Sequence, residues 1–175
     1  ASVAQCSFGW DGIIWDNDAD YKEKNGAEYA AIQYFLDPAR NNSKVLDANI
    51  MVFATGNEGV KAVSYPAALE EVIGVTSLGP DNLPAISYTN YGPGSNIAAP
   101  GGDFMVGNVF AGEVNKSKVL STFINTVQTV PTVGANPASG YDYAYMEGTS
   151  MACPHVSGVV ALGLSYAYKL GKRFT

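Results

Sequence analysis

Apolar residues along the chain follow two rhythms. Residues 49–55 (Asn-Ile-Met-Val-Phe-Ala-Thr) and 72–78 (Val-Ile-Gly-Val-Thr-Ser-Leu) are continuous, β-branched apolar runs. This is the pattern of strands covered on both faces, and so of a parallel sheet. A shorter run over 2–7 predicts another strand, leading into Phe8, Gly9 and Trp10. In the stretch between, Ala27, Ala30, Ala31, Tyr34 and Phe35 recur at helical spacing, with Asn25 where a cap would stand. Asp37-Pro38 ends that run, because proline restricts the residue before it. One amphipathic surface helix is predicted there, and the acidic stretch 16–24 before it reads as a solvated loop. Residues 81–102 are rich in Pro, Gly, Asn and Ser, which predicts surface turns and hairpins with short strands around 86–88 and 96–98. Residues 150–170 are apolar nearly all round, so they predict a buried core helix. Gly171 is its C-cap, and Lys169, Lys172 and Arg173 lie at its negative end. The alternation gives an α/β fold with a mainly parallel sheet, without internal repeat or domain linker.

Composition narrows the classes. A chain of 175 residues with 47% apolar and 15% charged side chains fits one soluble globular domain. Its net charge of −6 and lack of a basic run leave nucleic-acid binding without its electrostatic footprint. The apolar runs fall short of the roughly 20 residues that span a bilayer, so neither a membrane nor a signal segment is expected. Cys6 and Cys153 sit in apolar surroundings and read as small buried hydrophobes, a disulfide between them being disfavoured. Asn41 and Asn115 head Asn-X-Ser sequences, which matter only in a eukaryotic secretory setting.

Candidate chemistry centres on residues 148–158, Gly-Thr-Ser-Met-Ala-Cys-Pro-His-Val-Ser-Gly. Ser150 stands at a glycine-preceded helix start, among unpaired backbone N–H groups and the positive end of the helix dipole. A hydroxyl there can attack a carbonyl and have the oxyanion stabilised. Residues 54–59, Ala-Thr-Gly-Asn-Glu-Gly, lie at the carboxyl end of a buried strand, the edge at which open α/β sheets gather ligands. Asn57 is the candidate oxyanion donor, although alone its Asn-Gly setting reads as a turn.

These segments closely resemble the subtilisin-like serine peptidases, the subtilases. The 148–158 run resembles their serine signature, and Ala54, Gly56, Asn57 and Gly59 match the stretch that carries their oxyanion asparagine. Residues 6–9 resemble the edge strand that pairs with extended substrate. Residues 65–67, 72–75, 91–93 and 98–101 follow in the family's order. The resemblance implies that Ser150 and Asn57 are catalytic. It also implies that Ser7, Phe8 and Gly9 bind substrate by strand addition, that Ala54, Thr55 and Gly56 wall the specificity pocket, and that Thr149 supports the oxyanion site. Trp10 and Met146-Glu147 depart from the common pattern, and residues 103–143 match less well.

A serine peptidase needs a base and an orienting carboxylate. The single histidine, His155, lies five positions after Ser150, about 140° around the helix and about 7.5 Å along it. It reads as a core packing residue. The family's aspartate and histidine motifs belong N-terminal to the edge strand, so the resemblance implies a C-terminal portion of a single subtilase domain. That portion would be nearly inactive alone, with an exposed sheet covered by the N-terminal half or by a second copy. A peptide or protein substrate and secretion or a cell-envelope location are implied likewise. No cofactor is needed for catalysis, while a structural calcium ion is compatible with the family but not placed by the sequence. The alternative is a catalytically silent module kept for binding. An α/β-hydrolase elbow fails because no acid follows Ser150, Gly56 to Lys61 lacks Walker spacing, and Asp16, Asp18 and Asp20 lack the glycine and final glutamate of a calcium loop.

Overall fold

The computed structural model describes residues 2–10, 15–109, 117–123, 136–137 and 143–174. Asn115 and much of 103–143 lie outside them. Four strands, β1 (Val3–Cys6), β2 (Ile50–Ala54), β3 (Ile73–Leu78) and β4 (Ile97–Pro100), form one sheet in the order β1-β2-β3-β4. Every neighbouring pair is parallel, with Val3 opposite Ile50, Val52 opposite Ile73 and Val75 opposite Ile97. The fold is α/β with a mainly parallel sheet, as the two apolar runs required.

Side-chain alternation divides the strands between two cores. Phe53 of β2 points to a cluster with Cys6, Tyr21, Ile32, Tyr65 and Leu69. Val52 and Ala54 point the other way, against Val75, Ala99, Ala152, Cys153 and Val156. Helices α1 (Asp18–Lys24) and α2 (Gly26–Leu36) supply Tyr21 and Ile32 to the first cluster, and α4 (Thr149–Lys169) supplies the last three residues of the second. The result is three layers, helix on sheet on helix. Helix α3 (Phe104–Val109) precedes a small antiparallel sheet of β5 (Val119–Thr122), β6 (Asn136–Pro137) and β7 (Tyr143–Met146), ordered β5-β7-β6. Strand β7 delivers the chain to Gly148.

The structure corrects three expectations. Most of the acidic stretch 16–24 is helical: Asn17 Oδ1 accepts from the Asp20 N–H at 3.0 Å, and Tyr21 is fully buried and stacked on Tyr65. The charges misled because they occupy the outer face of a helix held by one aromatic anchor. No strand forms at 86–88. Backbone turns from Tyr88 and Thr89 to the Ala85 carbonyl occupy that segment, and β4 joins the parallel sheet instead of a surface hairpin. Helix α4 is buried along its sheet-facing side only. Val159 and Leu162 are 71% and 72% exposed, and Tyr166 is also open, because the sheet covers a single face of the helix. Its C-terminus closes as expected near Gly171, with Lys172 N–H donating to the Ala167 carbonyl and Gly171 N–H to that of Tyr168.

Close packing makes one β3 position intolerant of a side chain. A Cβ on Gly74 would stand 2.5 Å from the Gly94 carbonyl oxygen and 2.8 Å from that of Ala67, both backbone atoms. Gly74→Ala is therefore expected to destabilise the fold by about 1–3 kcal/mol, read as a lower chemical-denaturation midpoint at an unchanged slope. An unchanged midpoint would show that the Ala67 and Gly94 loops yield freely.

Candidate active site

Thr149 opens α4 and Ser150 is its second residue, with Gly148 at the cap. The chain enters the helix through Gly148 at φ 144°, a conformation open to glycine and strained for other residues. No carboxylate lies in the first turn, so the positive end of the helix is uncompensated at Ser150. The Ser150 N–H has no acceptor among the described residues. Its hydroxyl donates only a long hydrogen bond, 3.5 Å, to the Ser7 carbonyl.

Asn57 follows β2, and its amide oxygen accepts from both the Thr149 N–H and the Thr149 hydroxyl, each at 2.9 Å. A backbone N–H can only donate, so Oδ1 must be the atom facing Thr149 and Nδ2 must face away. Nδ2 has no partner among the described residues, and Asn57 is exposed. Thr149, itself fully buried, thus holds the Asn57 side chain by its amide oxygen. Asn57 and Ser150 line one cleft, each with an N–H group that has no acceptor among the described residues.

A cleft of about 260 Å³ joins these groups, lined by Ser7, Phe8, Gly9, Ala54, Gly56, Asn57, Ser64, Thr149 and Ser150. One wall is the chain beyond β1, where Phe8 rests edge-on against Phe53 with ring centroids 5.6 Å apart. The expected site residues therefore come together, with one exception. Thr55 is fully buried, and its hydroxyl donates to the Val75 and Asn90 carbonyls beneath the cleft. It lies just past the end of β2 and, unlike Ala54 and Gly56, does not line the cleft. A second correction concerns His155, which is exposed, not a core residue. Its Nδ1 is 2.8 Å from the Met151 carbonyl one turn back. It makes no contact with Ser150.

Two contributors were not singled out in the sequence. Ser64 lines the cleft and donates to Glu58. Asn90 is almost wholly buried and ties the oxyanion loop from several sides, its Oδ1 accepting from the Glu58 and Val60 N–H groups and its Nδ2 donating to Ser64 Oγ. Asn90 lies in a polar, glycine-rich stretch whose composition reads as turn, and Ser64 is a lone hydroxyl in a largely apolar one; their burial distinguishes them.

Trp10 and Glu147, the departures from the family pattern, have partners outside the cleft. Trp10 Nε1 donates to Glu28, and Glu147 accepts from the Phe104 N–H at 2.6 Å. Burial pushes the Glu147 carboxyl up, opposed by the Phe104 N–H and Lys118. Asp18 accepts from the Tyr65 hydroxyl, while Asp20 pairs with Lys24 at 2.7 Å. Among the described residues no three His, Cys, Asp or Glu side chains converge on one point.

Cys6 and Cys153 are free and buried. Burial, with the Cys153 thiol beside it, pushes Cys6 up to about 11, and burial raises Cys153 too. Neither forms appreciable thiolate at pH 8. A disulfide reagent such as DTNB is expected to titrate neither thiol in the folded protein and both in denaturant; fast reaction of the native protein would contradict this burial.

The model of the subtilase peptidase family matches residues 1–173. Halolysin of Haloferax mediterranei is 36% identical over 116 residues, covering 66% of this chain and 17% of that protein. The extracellular basic protease of Dichelobacter nodosus is 30% identical over 143 residues, covering 78% of this chain and 20% of its own length. The solved structure of the prenylagaramide maturation protease PagA superposes over 99% of this chain and 47% of its own, with a TM-score of 0.59 at 23% identity, which supports the fold. The chain thus spans about half of that solved structure and a smaller share of the curated relatives.

Proposed function

We propose that this chain, which belongs to the subtilase family, carries the nucleophile and oxyanion site of a serine endopeptidase. The observation that carries the reading is the Thr149-anchored Asn57 amide beside the helix-terminal Ser150. A peptide laid along Ser7 to Gly9 adds a strand to the sheet edge, bringing its carbonyl to the cleft. Ser150 Oγ attacks that carbonyl, its proton passes to a base, and the oxyanion is held by Asn57 Nδ2 and the Ser150 N–H. Collapse expels the amine and leaves an acyl-enzyme, which water then hydrolyses.

His155 faces solvent and does not touch Ser150, so the base and its carboxylate come from the portion that the resemblance places before residue 1. That portion, or a second copy, covers the outer face of α4, and the exposed Val159, Leu162 and Tyr166 support such a partner. The 175 residues alone have little peptidase activity. Secretion or a cell-envelope location fits the extracellular relative.

A fluorophosphonate probe tests the reading on the full-length product. Labelling at Ser150, together with peptide cleavage, supports the peptidase. Sustained absence of both favours the alternative, a silent binding module, in which the aimed Asn57 donor has no task.

A further inference from the structure

Pro154 deprives the first turn of α4 of one hydrogen bond. In a regular helix the Ser150 carbonyl accepts from the N–H of residue 154, and proline has none. Ser7 Oγ takes the vacancy and donates to the Ser150 carbonyl at 2.7 Å. The direction of that bond is fixed from behind. Gln5 Nε2, 2.5 Å from Ser7 Oγ, can only donate, so the Ser7 hydroxyl accepts from it and has its single proton left for Ser150. Gln5 is held in turn, because the same amide nitrogen also reaches Cys153 Sγ at 3.6 Å, and that thiol donates to the Val52 carbonyl.

Ser7 and Ser150 are thereby joined twice in opposite senses, since Ser150 Oγ also donates to the Ser7 carbonyl. We infer that the Ser7 side chain is a positioning residue for the nucleophile: it replaces the helix bond that Pro154 removes and, directed by Gln5, sets the spacing between the substrate-binding edge and Ser150. The inference rests on the peptidase reading above. It acts through geometry, because a small misplacement of a nucleophile against its carbonyl lowers turnover without weakening binding. The Ser7 main chain, which faces substrate, is untouched by changes to its hydroxyl.

The test uses the full-length protein and a fluorogenic peptide amide. Ser7→Ala is expected to lower kcat about three- to tenfold, as loss of one ordinary hydrogen bond implies, with KM changed less than about twofold. Ser7→Thr, which keeps the hydroxyl, retains most of the activity, and Gln5→Leu shows a smaller loss of the same kind. The decisive comparison is a cycle with Pro154→Ala, which restores an N–H for the Ser150 carbonyl. In that background Ser7→Ala costs less than about twofold. An equal loss in both backgrounds, or an unchanged kcat in Ser7→Ala, overturns the positioning role while the active parent protein keeps the peptidase reading. A parent that neither cleaves peptide nor takes fluorophosphonate overturns that reading and the kinetic role with it. Should Ser7→Ala unfold, the Gln5→Leu variant decides alone, an unchanged kcat there overturning the inference.

Discussion

Ser150→Ala is expected to eliminate fluorophosphonate labelling and to lower peptide turnover by about 10⁶, the magnitude known for the same change in subtilisin, a member of this family. The loss is large because the other site groups act on an intermediate that only the Ser150 oxygen creates. It should leave the fold intact. The hydroxyl makes one long hydrogen bond, to the Ser7 carbonyl, while the Ser150 main chain keeps its bond from Ser7 Oγ. A melting temperature within a few degrees of the parent, with a residual rate about 10³–10⁴ above the uncatalysed reaction, is the predicted pair of results. Turnover above about a hundredth of the parent value would place the nucleophile elsewhere.

Asn57→Ala is expected to lower kcat about 10²–10³-fold with KM little changed, again a magnitude measured on subtilisin. The amide donates to charge that develops only as the carbonyl is attacked, so substrate binding is nearly indifferent to it. Asn57 has a second task, however, because its oxygen takes both Thr149 donors. Asn57→Asp separates the two. A carboxylate keeps an acceptor for Thr149 and preserves the helix start, yet it offers no donor and places negative charge beside the oxyanion. Its activity should fall at or below that of Asn57→Ala while its melting temperature stays higher. If the aspartate variant were the more active, Asn57 would serve mainly to anchor Thr149.

What the sequence made legible follows from how each element is buried. Strands β2 and β3 stood out because both faces are covered and nearly every side chain is apolar. Strand β4 was expected at 96–98 but as part of a surface hairpin: Ile97-Ala-Ala-Pro100 has small residues and a proline, and it joins the sheet through its backbone register with β3. Helix α1 was hidden by its charges, since a single buried aromatic, Tyr21, anchors it. Ser150 and Asn57 were legible because their chemistry demands a helix start and a strand end, which local sequence specifies. Among the expected site residues only Thr55 does not line the cleft: its side chain is fully buried, which a motif that names chain neighbours does not reveal. Helix α4 illustrates the opposite limit: its apolar circumference implied burial all round, but how much of it is covered depends on what surrounds it.

The contact of α4 with β1 and β2 bears on how the chain reaches this structure. Cys153 Sγ lies against the carbonyls of Cys6 and Val52, residues 147 and 101 positions earlier, and the core on that face of the sheet is assembled largely from such pairs. Contacts this distant along the chain must overcome loop-closure entropy before they return any stabilisation, and parallel strands add no hairpin to start from. Folding is therefore expected to be slow and late. On the ribosome, β1 to β3 must wait with one face uncovered until α4 emerges, so the segment that carries the proposed nucleophile also completes the core.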